Sequence, residues 1–379
     1  MEFDNSFIPQ NAVNIFSPII SISSKSIIGF ESLYSTTLFN LDNIMYNFST
    51  LNNKLLFIDL DLSCIDSGPK GLSEALKTLS HISETAKKYS ILKENIVIEI
   101  VDSKIKNTDA LSETIDIYRR HGFIIALDDF GTGYSNLDRI AILRPNIVKL
   151  DISLIKDIQN CIHKQEIFKA ITGLSRKIGA VVIAKGIVNS AESLKSLELR
   201  ADFLQGPFFY QTPDNKLNEK LEILYKDLKC QILLNLEIRQ NRITFLQNKM
   251  LYLKSIIATT SNIEEALFKI VNTHSFIESA YLLDLNGKQI SSTYISPFSK
   301  YGQNTSLFSP ALKDSDHSLK MYYYKVKTGE SDFHITEPYV SNATGNRCST
   351  ISAVTDNNYI LCIDISDDST DSYMNLLAE

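Results

Sequence analysis

Carboxylates recur in this chain directly after short apolar runs. Glu31 follows IIGF, Asp59 and Asp61 follow LLFI, Glu99 closes IVIE, and Asp128 with Asp129 follow FIIAL. Two amines and an amide hold the same kind of position: Lys149 in IVKLD, Lys185 after VVIA and Gln205 after DFL. Carboxylates gathered at short range cannot all ionise cheaply, because like charges raise one another's pKa. Divalent cations resolve that conflict, and an all-oxygen donor set favours Mg²⁺, Mn²⁺ or Ca²⁺ over zinc. A pair of such ions clamps the attacking and leaving oxygens of a phosphoester displacement. The adjacent Asp128 and Asp129 are the sort of pair that bridges two ions. DDFGTGYSNL (128–137) adds glycines that let a backbone turn sharply beside a ligand.

Positioning these groups requires strands. Runs rich in Ile, Val, Leu and Phe occupy 26–30, 55–60, 95–100, 123–127, 147–150 and 181–184, and segments of helical periodicity fall between them, such as 73–90, 109–120, 161–177 and 191–198. Strands alternating with helices predict βα units and a largely parallel sheet. Polar groups at the ends of successive strands predict a (βα)8-type barrel with its site at the C-terminal face. A doubly wound sheet would gather them at one switch point instead.

The chain has 379 residues, with 38 Lys plus Arg against 44 Asp plus Glu, a net charge of −6. That balance excludes a protein whose main task is coating a nucleic acid polymer or an anionic membrane. No apolar run reaches the roughly 20 residues of a membrane-spanning helix. The start, MEFDNSFIPQ, lacks the basic region and apolar stretch of a secretory signal. Scattered cysteines without CxxC fit reduced thiols, so a cytoplasmic location is expected.

Ten of the 14 glycines lie at or before Gly206, and residues 214–286 contain neither Gly nor Pro. Such a gap predicts long helix. Leu236, Ile243, Met250 and Ile257 recur every seven residues within it, with Leu246 and Leu253 between, which predicts a self-associating helix. The expected organisation is a barrel domain over 1–213, a helical connector and dimerisation helix over 214–258, and a C-terminal α+β domain over 259–379. Strand-like runs there lie at 278–284, 288–294, 319–327, 347–355 and 358–365. Tyr322, Tyr323, Tyr324, His334 and Tyr339 are candidates for lining a small-ligand pocket, with core or dimer packing as the competing reading for most of them.

The barrel region resembles the EAL domain, the cyclic di-GMP phosphodiesterase family. ESLYS (31–35) resembles EALxR, IDLD (58–61) stands where the family has INLS, and EIVDS (99–103) resembles ELTES. DDFGTGYSNL resembles DDFGTGYSSL, and RPNIVKLDISLI (144–155) resembles RPDxIKID with its tail. AKGIV (184–188) falls where AEGVE is expected, and DFLQGPFF (202–209) where DxxQGYLF is expected. The resemblance implies a barrel with one antiparallel strand and hydrolysis of cyclic di-GMP to the linear dinucleotide with Mg²⁺ or Mn²⁺. By position it implies Glu31, Asp59, Glu99 and Asp128 as ligands of a first metal, and Asp128 and Asp129 as ligands of a second. Lys149 would orient the attacking water and Gln205 would support the site. Pro18, Leu33 and Asp202 would meet the substrate, Asp202 at a guanine.

Asp59 replaces an Asn of the family pattern but still offers oxygen, and four further positions depart from the pattern. Ser35 replaces an Arg that offers a bidentate phosphate contact. Val188 replaces a Glu that steadies the loop after DDFGTG, and Pro207 replaces a Tyr. Lys185 replaces a carboxylate ligand of the second metal, a change from −1 to +1 that repels a divalent ion by several kcal/mol or more at an effective dielectric of about 20. The expected outcome is that the Lys185 ammonium pairs with Asp128 and Asp129 in place of the ion, leaving at most one metal site. These departures favour a degenerate EAL protein acting as a receptor or regulator of cyclic di-GMP. The alternatives are a working phosphodiesterase and a protein-interaction module that no longer sees nucleotide. The 329–354 segment with YILCIDI resembles the PAS/Cache sensory fold, and the order of regions resembles a Bacillus-type architecture of degenerate EAL proteins. An unknown small ligand for this domain is expected, as is a homodimer through the connector helix, the sensory domain or the EAL domain.

Overall fold

The computed structural model describes residues 16–33, 38–51, 53–101, 105–131, 137–210, 214–299, 308–329 and 332–366. The chain divides into two compact units at Leu234 and Asn235.

In the first unit, eight strands close into a barrel: β1 (Phe16–Ser21), β2 (Ser26–Ser32), β3 (Leu55–Leu60), β4 (Ile96–Val101), β5 (Ile124–Phe130), β6 (Ile147–Leu150), β7 (Val181–Ala184) and β8 (Phe203–Gln205). Strand β1 runs antiparallel to both β2 and β8, and every other pairing is parallel. Side chains alternate between the two faces of a strand. Inside the barrel, Ile19, Phe57, Val97, Ala126, Ile147 and Ile183 form one buried layer. A larger core lies between the strands and the surrounding helices. Helix Pro69–Lys88 shows how these form: Pro69 sits in its first turn, and Ala75, Leu79, Ile82 and Ala86 make one buried stripe. Gly29 has a steric role, because a Cβ there would lie 2.7 Å from the Leu55 carbonyl oxygen and 2.9 Å from the Phe57 ring.

The first 46 residues of the 73-residue gap without Gly or Pro form one helix, Asp214–Thr259. Its early apolar residues Leu217, Leu221 and Leu224 belong to the barrel unit's core. The heptad reading needs correction in its second half. Leu246, Met250, Leu253 and Ile257 are buried within the second unit's own core, where they pack with Leu267, Ile270, Ile351 and Ile363. A seven-residue spacing serves a helix laid on its own sheet as well as one paired with another chain. Leu236 is exposed.

In the second unit, helix Ile263–Thr273 follows an Asn262 cap whose side chain accepts from the Glu265 backbone N–H. The sheet has the order β10 (Tyr294–Ile295), β9 (Ile277–Leu283), β14 (Ile360–Ser366), β13 (Arg347–Val354), β11 (Phe333–Ile335), with β12 (Tyr339–Val340) also on β13. The strand expected at 319–327 is instead the helix Met321–Lys327. Three tyrosines and a valine have high β-propensity, but Tyr322, Tyr323 and Val326 fall on one helical face and are buried against the sheet. Among the described residues, no helix is long and apolar enough to cross a membrane.

Candidate active site

The barrel's alternation places the chemistry. Seven of the groups identified from sequence lie two residues beyond an inward residue: Gly29 to Glu31, Phe57 to Asp59, Val97 to Glu99, Ala126 to Asp128, Ile147 to Lys149, Ile183 to Lys185 and Phe203 to Gln205. On antiparallel β1 the same step runs backwards, from Ile19 to Ser17. The residues that fill the barrel therefore point the next inward side chain of each strand at its C-terminal mouth.

Lys149 is fully buried, and its Nζ lies 2.5 Å from Glu99 Oε1, 3.1 Å from Glu31 Oε1 and 3.8 Å from Asp128 Oδ1. Gln205 Nε2 donates to Glu31 Oε2 and, at 3.1 Å, to Ser17 Oγ. Lys185 Nζ lies 2.8 Å from Asp128 Oδ2 and 2.8 Å from Asp129 Oδ1. Consecutive strand residues ordinarily face opposite ways. Asp129 breaks the rule with φ 51°, and the β5–β6 register shifts between Leu127 and Phe130. That bulge lets both carboxylates reach one ammonium.

Burial pushes the Glu99 carboxyl well above the usual range. Lys149 opposes the shift, and Glu31 and Asp128 reinforce it. Burial acts the same way on Asp128, yet Lys149 and Lys185 hold its carboxyl below the usual value. Burial would lower both lysines, but the carboxylates outweigh it, so both remain ammonium ions.

Among the described residues, Glu31, Glu99 and Asp128 each bring one oxygen within 4.8 Å of the others. Glu99 Oε2 and Asp128 Oδ1 are buried without a hydrogen-bond partner. Buried oxygens left unsatisfied in an acidic cluster suit a hard divalent cation, which these three residues would hold. Asp59 is level with Glu99 in the β3–β4 register but exposed, and it is not among the converging oxygens. Asp129 also lies outside that group and pairs with Lys185.

Two expected substrate contacts sit elsewhere. Asp202 lies three residues before Gln205, at the opposite end of β8. Its carboxylate accepts from the Val182 backbone N–H at 2.8 Å and from Arg176 at 3.4 Å. Pro18 is buried on the face of β1 opposite Ser17, outside the barrel. Leu33 is exposed just beyond Glu31 at the mouth. Ser35 lies outside the described residues. Val188 is exposed, and its backbone N–H donates to Glu192 Oε2 at 3.0 Å. Glu192 Oε1 accepts from the Asp157 N–H at 3.1 Å, so this buried carboxylate ties together two loops after β6 and β7. Sequence reasoning missed Glu192, although the Asn189 cap and a Glu three residues on resemble a capping motif. Pro207 opens the short helix Pro207–Tyr210.

The EAL domain family model matches residues 37–212. A probable cyclic di-GMP phosphodiesterase, PdeG of Escherichia coli K12, is 34% identical over 119 residues, 31% of this chain and 23% of the relative. The uncharacterized EAL-domain containing protein YkuI of Bacillus subtilis is 29% identical over 136 residues, 36% of this chain and 33% of the relative. These matches span a third or less of the relatives' own lengths. The crystal structure of YkuI, solved with c-di-GMP and calcium, superposes with a TM-score of 0.75 at 18% identity, covering 97% of this chain and all of that one. Over residues 37–212 the chain is similar to the EAL domain family, and the closed eight-stranded barrel agrees with that match.

Proposed function

We propose that this chain is a catalytically impaired EAL-domain protein of cyclic di-GMP signalling, which binds the nucleotide as a receptor or regulator and holds at most one hard divalent cation, Mg²⁺ or Mn²⁺. One observation carries the reading: the Lys185 ammonium lies 2.8 Å from both Asp128 and Asp129. Counted as ionised, the four carboxylates that pair with Lys149 or Lys185, namely Glu31, Glu99, Asp128 and Asp129, contribute −4, and the two lysines contribute +2. The remainder, −2, matches one divalent ion. With a carboxylate at 185 the sum would be −5 + 1 = −4, which matches two. The name of PdeG and the ligands of the YkuI structure support cyclic di-GMP as the nucleotide.

A cation held by Glu31, Glu99 and Asp128 would supply Lewis acidity toward a phosphodiester oxygen. Gln205 holds Glu31 in place from β8, and Lys149 fixes the orientation of Glu31 and Glu99 through charge-assisted hydrogen bonds. Lys185 occupies Asp128 and Asp129, so the pair cannot bridge a second ion. The single-ion site survives, and the second half of the clamp is lost. A working phosphodiesterase is the second reading, favoured by the 28% exposure of the Lys185 side chain, which gives it room to swing out.

The test is an assay of cyclic di-GMP hydrolysis with Mg²⁺ or Mn²⁺ beside an active EAL phosphodiesterase, with calorimetric titration of the nucleotide. Binding without turnover is expected. Turnover at the comparator's rate, or no binding, overturns the proposal.

A further inference from the structure

We propose that the C-terminal unit binds a small organic ammonium compound in a cavity on one face of its sheet. This inference is independent of the barrel. The sheet's other face carries Ala280, Leu282, Ile351, Ala353 and Ile363, packed with residues of the two preceding helices. On the cavity face, Tyr281, Tyr322, Ile360 and Cys362 fill one end with apolar bulk. At the other end a polar row crosses three strands in direct register: Ser279 on β9, Asp364 on β14 and Thr350 on β13.

Asp364 is 4% exposed. Its Oδ2 accepts from Ser279 Oγ at 2.8 Å, and its Oδ1 accepts from Thr350 Oγ1 at 2.7 Å and Tyr339 OH at 3.5 Å. All three donors are neutral hydroxyls. A carboxylate taken out of water needs a counter-charge or a proton. Burial accordingly pushes the Asp364 carboxyl up, with the hydroxyls opposing.

Above this row lies a cavity of about 340 Å³, lined by Tyr281, Tyr322, Tyr339, His317, Lys320 and Asp364 among others. Its size is at the low end for ligand pockets and suits a single small molecule. His317 is 8% exposed and packs on Tyr281 with ring centroids 5.4 Å apart. Its Nδ1 meets Tyr322 OH at 2.7 Å, while Nε2 is buried with no partner. A carboxylate without a counter-ion, three tyrosine rings and a free imidazole nitrogen together describe a cation site with a second polar anchor. Aromatic faces attract a weakly hydrated ammonium, and the carboxylate supplies the charge. Lys320, exposed beside the cavity, disfavours a second positive group and favours an acceptor at the ligand's far end.

The experiment titrates the full chain calorimetrically with choline, ethanolamine and phenethylamine, each against its uncharged isostere. At least one ammonium probe should bind about tenfold or more tighter than its isostere, and Asp364→Asn should abolish that preference. Because Asp364 also serves the sheet, Ala343→Leu provides a second variant: it crowds the cavity and leaves the Asp364 hydrogen bonds untouched. It should melt like the parent and lose binding. The proposal is overturned if no ammonium probe binds at millimolar concentration, if the isosteres bind equally, or if Ala343→Leu binds as the parent does.

Discussion

Replacing Lys185 by Glu tests the charge arithmetic of the barrel mouth. The substitution removes two ion pairs at 2.8 Å and adds a fifth carboxylate to the four paired with the lysines, taking their sum from −2 to −4. Each lost pair has a gross attraction of about 6 kcal/mol at an effective dielectric near 20, most of which is cancelled by desolvation. Removing one partner of a buried pair costs about 3–5 kcal/mol. Solvent screening at the 28% exposed Lys185 reduces this to about 2–3 kcal/mol for the metal-free protein. For a unit of this size that corresponds to about 5–10 °C in Tm. Metal should reverse the loss, since a ligand at a hundred times its Kd stabilises by about 2.7 kcal/mol per site. Melting curves in EDTA and in Mn²⁺, with Mn²⁺ stoichiometry from calorimetry, provide the assay. The expected result is one Mn²⁺ for the parent and two for Lys185→Glu, with a larger Mn²⁺-dependent rise in Tm for the variant. A variant that melts like the parent in EDTA and still binds one ion would refute the reasoning.

Other outcomes follow from specific contacts. Gly29→Ala would press a methyl group onto the Leu55 carbonyl and the Phe57 ring, costing about 1–3 kcal/mol in urea unfolding of the barrel unit. Glu192→Ala would leave the Asp157 and Val188 amides without their acceptor, also about 1–3 kcal/mol, with faster hydrogen exchange at both. Glu278 and Asp364 bear on pH. Burial raises both carboxyls, so the folded second unit binds protons more tightly than the unfolded chain does. Their contribution is full below the unfolded value of about 4 and is lost as pH rises through the raised folded values. Stability of this unit should therefore increase as pH falls from neutral toward that range, and Asp364→Asn should flatten the slope.

The barrel was legible because its strands are apolar runs ended by a polar group, and the period of two that buries Phe57, Val97 and Ile183 also points Asp59, Glu99 and Lys185 at the mouth. Strand β1 escaped notice because Ser17, Pro18 and Ser21 interrupt its apolar pattern, although barrel closure buries it fully. Pro18 and Asp202 were assigned by motif position, and register places them on the outer face and at the opposite end. The convergence of Asp128 and Asp129 depends on a positive φ that carries no signal in an Asp-Asp pair. Helix Met321–Lys327 was read as a strand because tyrosine-rich runs satisfy β-propensity. Only its packing on β13 and β14 shows the helical face.

In the proposed reading Lys185 stands where a second metal would otherwise bind. Crystals grown with cyclic di-GMP and Mn²⁺, with anomalous scattering used to locate manganese, test it most directly. One Mn²⁺ held by Glu31, Glu99 and Asp128 is expected, with Lys185 Nζ still on Asp129. Two Mn²⁺ peaks, the second on Asp128 and Asp129 with Lys185 displaced, would contradict it.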